Sequence, residues 1–84
     1  EPDYADRAAR FPVDLQLSGH SHGGQVNLPR LGRPVLPYLG QKYPAGLYQV
    51  ESLALYTNRG IGVISPPVRF NCPPEVTELT LRAV

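Results

Sequence analysis

The sequence predicts an α+β fold in which one short helix is followed by mainly antiparallel strands and long loops. Two observations carry that expectation. Ten prolines and eight glycines among 84 residues leave no room for long helices. Apolar residues follow a helical spacing only at the start of the chain and alternate with period two further on. With 42% apolar and 18% charged residues the chain has the composition of a folded protein. A chain of 84 residues makes at most one small domain. Such a domain buries only about 60% of the surface its unfolded form exposes, so its core relies on neighbouring structure.

Residues 1–11 read as an amphipathic surface helix. Pro2 suits the first turn, where its missing N–H would have no partner, and Asp3 and Asp6 favour the positive end of the helix dipole. Tyr4, Ala8 and Phe11 share one face, and Pro12 disfavours helical dihedrals at Phe11. A strand follows over 13–18, with Val13, Leu15 and Leu17 on one face and Asp14, Gln16 and Ser18 on the other. It runs into Gly19-His20-Ser21-His22-Gly23-Gly24, after which Gln25 to Leu28 resumes extended structure. Residues 29–46 carry Pro29, Pro34, Pro37 and Pro44 and form a long ordered loop, pinned by Leu31, Val35, Leu36, Tyr38 and Leu39. Leu47–Val50 and Leu53–Asn58 make a hairpin about Glu51-Ser52. Arg59-Gly60-Ile61-Gly62 ends its second strand, Pro66-Pro67 and Pro73-Pro74 mark turns, and Val68–Asn71 is a short extended piece. The alternation over Glu75–Arg82 predicts a last strand.

Charge and hydropathy exclude several functions. A net charge of +1 says nothing of partners, and the scattered lysines and arginines form no basic stripe of the kind a nucleic-acid backbone requires. No apolar run approaches the ~18 residues that span a bilayer, and no secretory signal pattern is present. The single cysteine, Cys72, forms no internal disulfide and reads as a small buried hydrophobe. The chain contains no methionine and opens on Glu1-Pro2-Asp3, so the expectation is the retained end of a longer protein.

Chemistry concentrates at the two histidines. His20 and His22 stand at i and i+2 just after a strand, so extended backbone directs both imidazoles the same way. Gly19, Gly23 and Gly24 allow positive φ and close approach to an ion or phosphate. Neutral imidazole ligates manganese, iron or zinc, and such a pair serves one metal or two adjacent ones. A bare H-x-H is more readily a solvent-exposed polar turn.

The surroundings narrow this. The run Ser18 to Gln25 closely resembles the last signature motif of the calcineurin-like metallophosphoesterases, and two further matches follow in order. Asn58 to Gly62 resembles the N-R-G-[ILV]-G turn, and Arg69-Phe70 with Pro74-Glu75 resembles the R-F and P-E motifs, of the family's membrane-associated or exported bacterial branch. The resemblance covers nearly the whole chain. It implies the C-terminal portion of a four-layer αββα sandwich, with His20 binding the second and His22 the first of two divalent ions (Mn, Fe or Zn). It implies hydrolysis of a phosphomonoester or phosphodiester, the two ions activating a water and holding the phosphoryl oxygens for in-line displacement. The family's other ligands, an aspartate-histidine pair, a bridging aspartate, an asparagine-histidine pair and a lone histidine, have no counterpart here. The chain alone therefore supplies metal ligands and no catalytic residue. Its expected partners are the N-terminal part of the same domain and a phosphate-ester substrate, with membrane association, if any, through a region outside these residues.

The remaining polar residues divide between site and framework. Arg59 offers a bidentate fork for phosphate or is a turn arginine at the surface. Gln25 lines the pocket or is a hydrogen-bonded loop glutamine. A ligand histidine needs its second ring nitrogen oriented by an acceptor, for which Asp14 and Gln25 are the nearest polar side chains. Tyr38, Tyr43, Tyr48 and Tyr56 read as packing residues beside prolines rather than as stacking platforms. Two rival readings remain: a small β-rich interaction module whose proline-rich loop is the contact surface, and a phosphoesterase-like domain without activity.

Overall fold

The computed structural model describes residues 1–83. It is an α+β arrangement of one short helix, α1 (Ala5–Ala8), and a three-stranded sheet of β1 (Leu15–Ser18), β2 (Gly46–Val50) and β3 (Leu53–Thr57). The sheet order is β1-β3-β2. The predicted hairpin forms β2 and β3, which pair antiparallel from Gly46 opposite Thr57 to Val50 opposite Leu53. Glu51 takes a φ of 55° to close it. The other pairing is parallel: β1 lies beside β3, Leu15 opposite Ala54 and Ser18 opposite Thr57. The sheet is therefore mixed rather than mainly antiparallel. The long proline-rich segment between β1 and β2 makes the crossover that parallel neighbours require.

The helix is shorter than expected and buries a different face. A 3₁₀ turn over Pro2–Tyr4 precedes α1, and Pro2, Ala5 and Ala8 are buried while Tyr4 and Phe11 are about half exposed. Small side chains win because they let the helix backbone approach the sheet closely. The core comprises Ala5, Ala8, Val50, Leu53 and Leu55, with Ala9, Tyr43 and Tyr48 packed against it. Burying each leucine stabilises the fold by about 1.5–3 kcal/mol.

The register fixes which face of each strand meets the helix. Gln16 lies beside Leu55, and Leu55 beside Tyr48, on the helix side. Leu17, Tyr56 and Leu47 stand side by side on the other face. The apolar row of β1 thus points away from the helix, and Leu17 (58% exposed) and Leu47 (73%) remain largely uncovered. Gln16 is accommodated beneath the helix because its Nε2 donates to Ser18 Oγ at 2.9 Å.

The loop over 29–46 is ordered, with Leu36 and Leu39 half-buried as expected and polar contacts doing the rest of the pinning. Leu31, Val35 and Tyr38 are exposed, since the loop lies on the surface with those side chains outward. Its anchor is Asp3. The carboxylate accepts from the backbone N–H groups of Gln41, Lys42 and Tyr43 at 2.8–3.1 Å, and Asp3 N–H donates to Leu39 O at 3.0 Å. Lys42 Nζ and the Tyr43 hydroxyl both bond Asp6 at 2.6 Å. The Lys42 and then the Tyr43 bond hold the Asp6 carboxyl below its usual range.

Two extended pieces are not strands. Val26 and Phe70 form only an isolated parallel bridge. Among the described residues, 75–83 form no ladder, and the backbone there makes one hydrogen bond, Glu75 N–H to Gly60 O at 2.9 Å. A strand needs a neighbour's row of N–H and C=O groups, and here side chains of β3 and its exit meet the segment instead. The Tyr56 hydroxyl bonds Glu75 Oε1 and Thr77 Oγ1 at 2.8 and 2.7 Å, and Asn58 Nδ2 donates to Thr77 Oγ1 at 3.0 Å.

Candidate metal centre

Parallel pairing places the two motif turns together. Because β1 and β3 run in the same direction in register, their carboxyl ends at Ser18 and Thr57 coincide, and Asn58 N–H donates to Ser18 O at 2.8 Å. The histidine turn leaves one strand and the Asn58–Gly62 turn the other. Carboxyl ends of parallel strands are where ligand sites collect in layered α/β sheets.

The turn itself is wound tightly. After β1, Ser21 caps a short 3₁₀ turn over His22–Gly24, its Oγ accepting from Gly23 N–H at 3.2 Å and donating to Pro44 O at 2.6 Å. Ser21 is buried, and this double bond ties the turn to the end of the proline-rich loop. Sequence reasoning passed over Ser21, whose only signal was its capping type just before a glycine pair. Positive φ falls on Gly23 (60°) and Gly24 (78°) as expected, but Gly19 is not among the residues with positive φ. His20 (70°) and His22 (52°) adopt it instead. Histidine in the left-handed region is uncommon, and such strained positions cluster at functional sites.

Each imidazole spends one nitrogen on a backbone carbonyl. His20 Nε2–H donates to Tyr38 O at 2.9 Å. His22 Nδ1–H faces Gly62 O at 3.4 Å, a longer and weaker contact. A carbonyl only accepts, so the bonded nitrogen carries a proton, and in the neutral ring the opposite one holds the lone pair. Nδ1 of His20 and Nε2 of His22 are the ring nitrogens without a protein hydrogen-bond partner among the described residues, and a backbone acceptor on the opposite nitrogen is the usual support of a metal-bound histidine. The acceptors are main-chain groups of the proline-rich loop and of the Asn58–Gly62 turn. Asp14 and Gln25, the nearest polar side chains in sequence, serve neither ring; Asp14 is an exposed residue whose carbonyl accepts from Ala54 N–H at 2.9 Å.

Gln25 and Arg59 are committed to the framework around the turn. Gln25 is buried, its Oε1 accepts from Ile64 N–H at 2.5 Å, and its Nε2 reaches the carbonyls of Ile64, Pro66 and Val68 at 3.1–3.2 Å. Arg59 Nη2 pairs with Glu75 Oε2 at 3.0 Å and its Nε donates to Pro73 O at 2.9 Å. Burial pushes the Glu75 carboxyl up, but the Tyr56 hydroxyl, the Arg59 N–H and charge and Thr77 outweigh it and leave it below its ordinary range. Cys72 is buried as expected, its Sγ 3.4 Å from the carbonyls of His22 and Gly23. Tyr43 and Tyr48 pack edge to face with centroids 5.0 Å apart, whereas Tyr38 is exposed and contributes its carbonyl.

The donor set fits a metal but does not complete a site. Two oriented neutral imidazoles suit manganese, iron or zinc. Among the described residues no group of three or more His, Cys, Asp or Glu side chains converges as a metal would require.

Relatives supply the context. The chain is 47% identical over 83 residues to the uncharacterized metallophosphoesterase YkuE of Bacillus subtilis, covering 99% of this chain and 29% of the relative. It is 42% identical over 80 residues to the phosphodiesterase YaeI of Escherichia coli, covering 95% of this chain and 29% of that protein. To a transmembrane protein with metallophosphoesterase domain of Bos taurus it is 38% identical over 86 residues, covering 99% and 18% respectively. No family model and no solved structure matches. The chain belongs to the calcineurin-like metallophosphoesterase family. It spans less than a third of the length of these relatives. Among the described residues no helix is long and apolar enough to cross a membrane.

Proposed function

We propose that residues 1–84 are the C-terminal part of a single metallophosphoesterase domain, a four-layer αββα sandwich that hydrolyses a phosphomonoester or phosphodiester with two divalent metal ions. The observation that carries this reading is the pair of imidazoles, each with one nitrogen held by a backbone carbonyl and the other left to ligate. Relatives named as a phosphodiesterase and as metallophosphoesterases supply the reaction class. The bound ions supply activation of water and neutralisation of charge on the phosphoryl oxygens.

His20 and His22 hold the ions in place from one side, and the rest of the domain furnishes the carboxylates and further histidines. The face on which Leu17 and Leu47 stand largely exposed receives the second sheet of the sandwich. Arg59, whose Nη1 has no hydrogen bond among the described residues, is the arginine that meets substrate oxygens, while Gln25 shapes the wall of the site through the 64–68 loop. Membrane association, if the protein shares it with the relative named as a transmembrane protein, is through a region outside these residues.

The test is manganese-dependent hydrolysis of an aryl phosphate monoester and an aryl phosphate diester by the full-length protein. His20→Ala and His22→Ala should each lower the rate by about 100-fold or more, since even residues that merely support ligands are worth ~10–100-fold. Unchanged rates in both variants would overturn the assignment.

A further inference from the structure

We infer that Arg69 is a positioning residue for His22, fixing the ring through the Gly62 carbonyl; this rests on the reading of His22 as a metal ligand. Arg69 Nη2 donates to Gly62 O at 2.6 Å, the same oxygen that faces His22 Nδ1 at 3.4 Å. From its other side the guanidinium holds the main chain of the histidine turn, Nη1 reaching His22 O at 3.4 Å and Cys72 O at 3.0 Å. Nη2 also donates to Arg59 O at 3.0 Å and approaches Gly60 O at 3.3 Å. One cation thus gathers the carbonyls of three separate segments and sets the ring acceptor of His22 relative to the backbone of His22.

The chemistry favours this use of an arginine. A guanidinium presents five N–H groups in a rigid plane, and its charge-assisted bonds are roughly twice as strong as neutral ones. A lysine, a compact point charge, could not bridge the same set of oxygens in fixed directions. The fold accepts a cost for it, because Arg69 Nε is buried without a hydrogen-bond partner among the described residues. The 3.4 Å His22–Gly62 contact is too long to hold a ring alone, so the carbonyl must itself be fixed. His20 is independent of this device, as its acceptor is Tyr38 O in the proline-rich loop.

That independence supplies the control. In the zinc-loaded full-length protein, the ring nitrogens of both histidines are followed by long-range proton–nitrogen NMR, with zinc affinity measured in parallel. Arg69→Gln should shift the His22 ring resonances and weaken zinc about 10–100-fold while His20 keeps its signals; Arg69→Lys should fall between. Unchanged His22 signals and affinity in Arg69→Gln, with His22→Ala impaired, would overturn the role of Arg69 and leave the ligand reading standing. Disturbance of His20 and His22 alike would reduce Arg69 to general scaffolding and also overturn it. Undiminished zinc affinity in His22→Ala would instead remove the ligand reading beneath it. Should Arg69→Gln lose its dispersed spectrum, Arg69→Lys is judged by the same criteria.

Discussion

Gly23 shows how tightly single residues are constrained around the histidines. A Cβ there would stand 2.5 Å from Cys72 Sγ and 2.9 Å from Arg59 Cγ, and the backbone φ of 60° already disfavours any side chain. Gly23→Ala should therefore cost about 2–4 kcal/mol, combining left-handed strain with overpacking. Cys72→Ala removes the nearer obstacle, so the double variant should recover part of that loss and depart from additivity by about 1 kcal/mol. Denaturant unfolding of the full-length single and double variants measures both; strict additivity would show that the thiol is not the obstacle. At this scale the sequence disclosed the histidines and the glycine pair, because their types and spacing are chemically specific. It could not disclose which groups orient the rings. Tyr38 and Gly62 act through main-chain carbonyls, which every residue possesses, and nothing in a side-chain pattern marks them.

Elements were legible where their pattern is local. The hairpin of β2 and β3 follows from alternation on both sides of Glu51-Ser52, and it lies where expected. The parallel partnership of β1 with β3 joins residues too distant in sequence for any periodicity to reveal. The alternating segment after Pro74 misleads for the opposite reason: its pattern is real, but side chains rather than a ladder fasten it. That fastening depends on acid. Glu75 bonds Tyr56 and pairs with Arg59, and its carboxyl sits below the ordinary value of 4.5 in the folded state. A depressed carboxyl stabilises the fold above its unfolded pKa, and the contribution fades as pH falls from there through the folded pKa. Glu75→Gln should thus lower stability at pH 7 by about 1 kcal/mol. The difference from wild type should shrink below pH 4.5. Unfolding curves from neutral to acid pH will show this, and a pH-independent gap would assign the loss to packing instead.

For the whole molecule the decisive quantity is how little is covered. The core rests on five residues, while Leu17, Leu47, Phe11, Leu31 and Ile61 stand largely in solvent. Leu17 and Leu47 flank Tyr56 on one face of the sheet, and contiguous exposed apolar surface marks an interaction face. The 84-residue polypeptide produced alone should bind an apolar dye and self-associate, and the full-length protein should do neither to a comparable degree. Dye fluorescence and light scattering decide the matter; a dye-free, monodisperse polypeptide would favour an independent module. The α+β class was readable from composition and periodicity, but the direction each face points was not, since Gln16 faces the helix and Leu17 faces away.

The bonds that shape the histidine turn also set when it can exist. His22 meets Gly62 across 40 positions and Cys72 across 50. Contacts so remote in sequence cost loop-closure entropy before they return any stability. On the ribosome the two histidines are therefore made before the residues that shape them, and remain unshaped until Arg69 and Cys72 have been added. A nascent chain carrying the same motif but not yet Arg69 and Cys72 presents only a flexible pair of imidazoles, so the proposed metal capture would have to follow their synthesis.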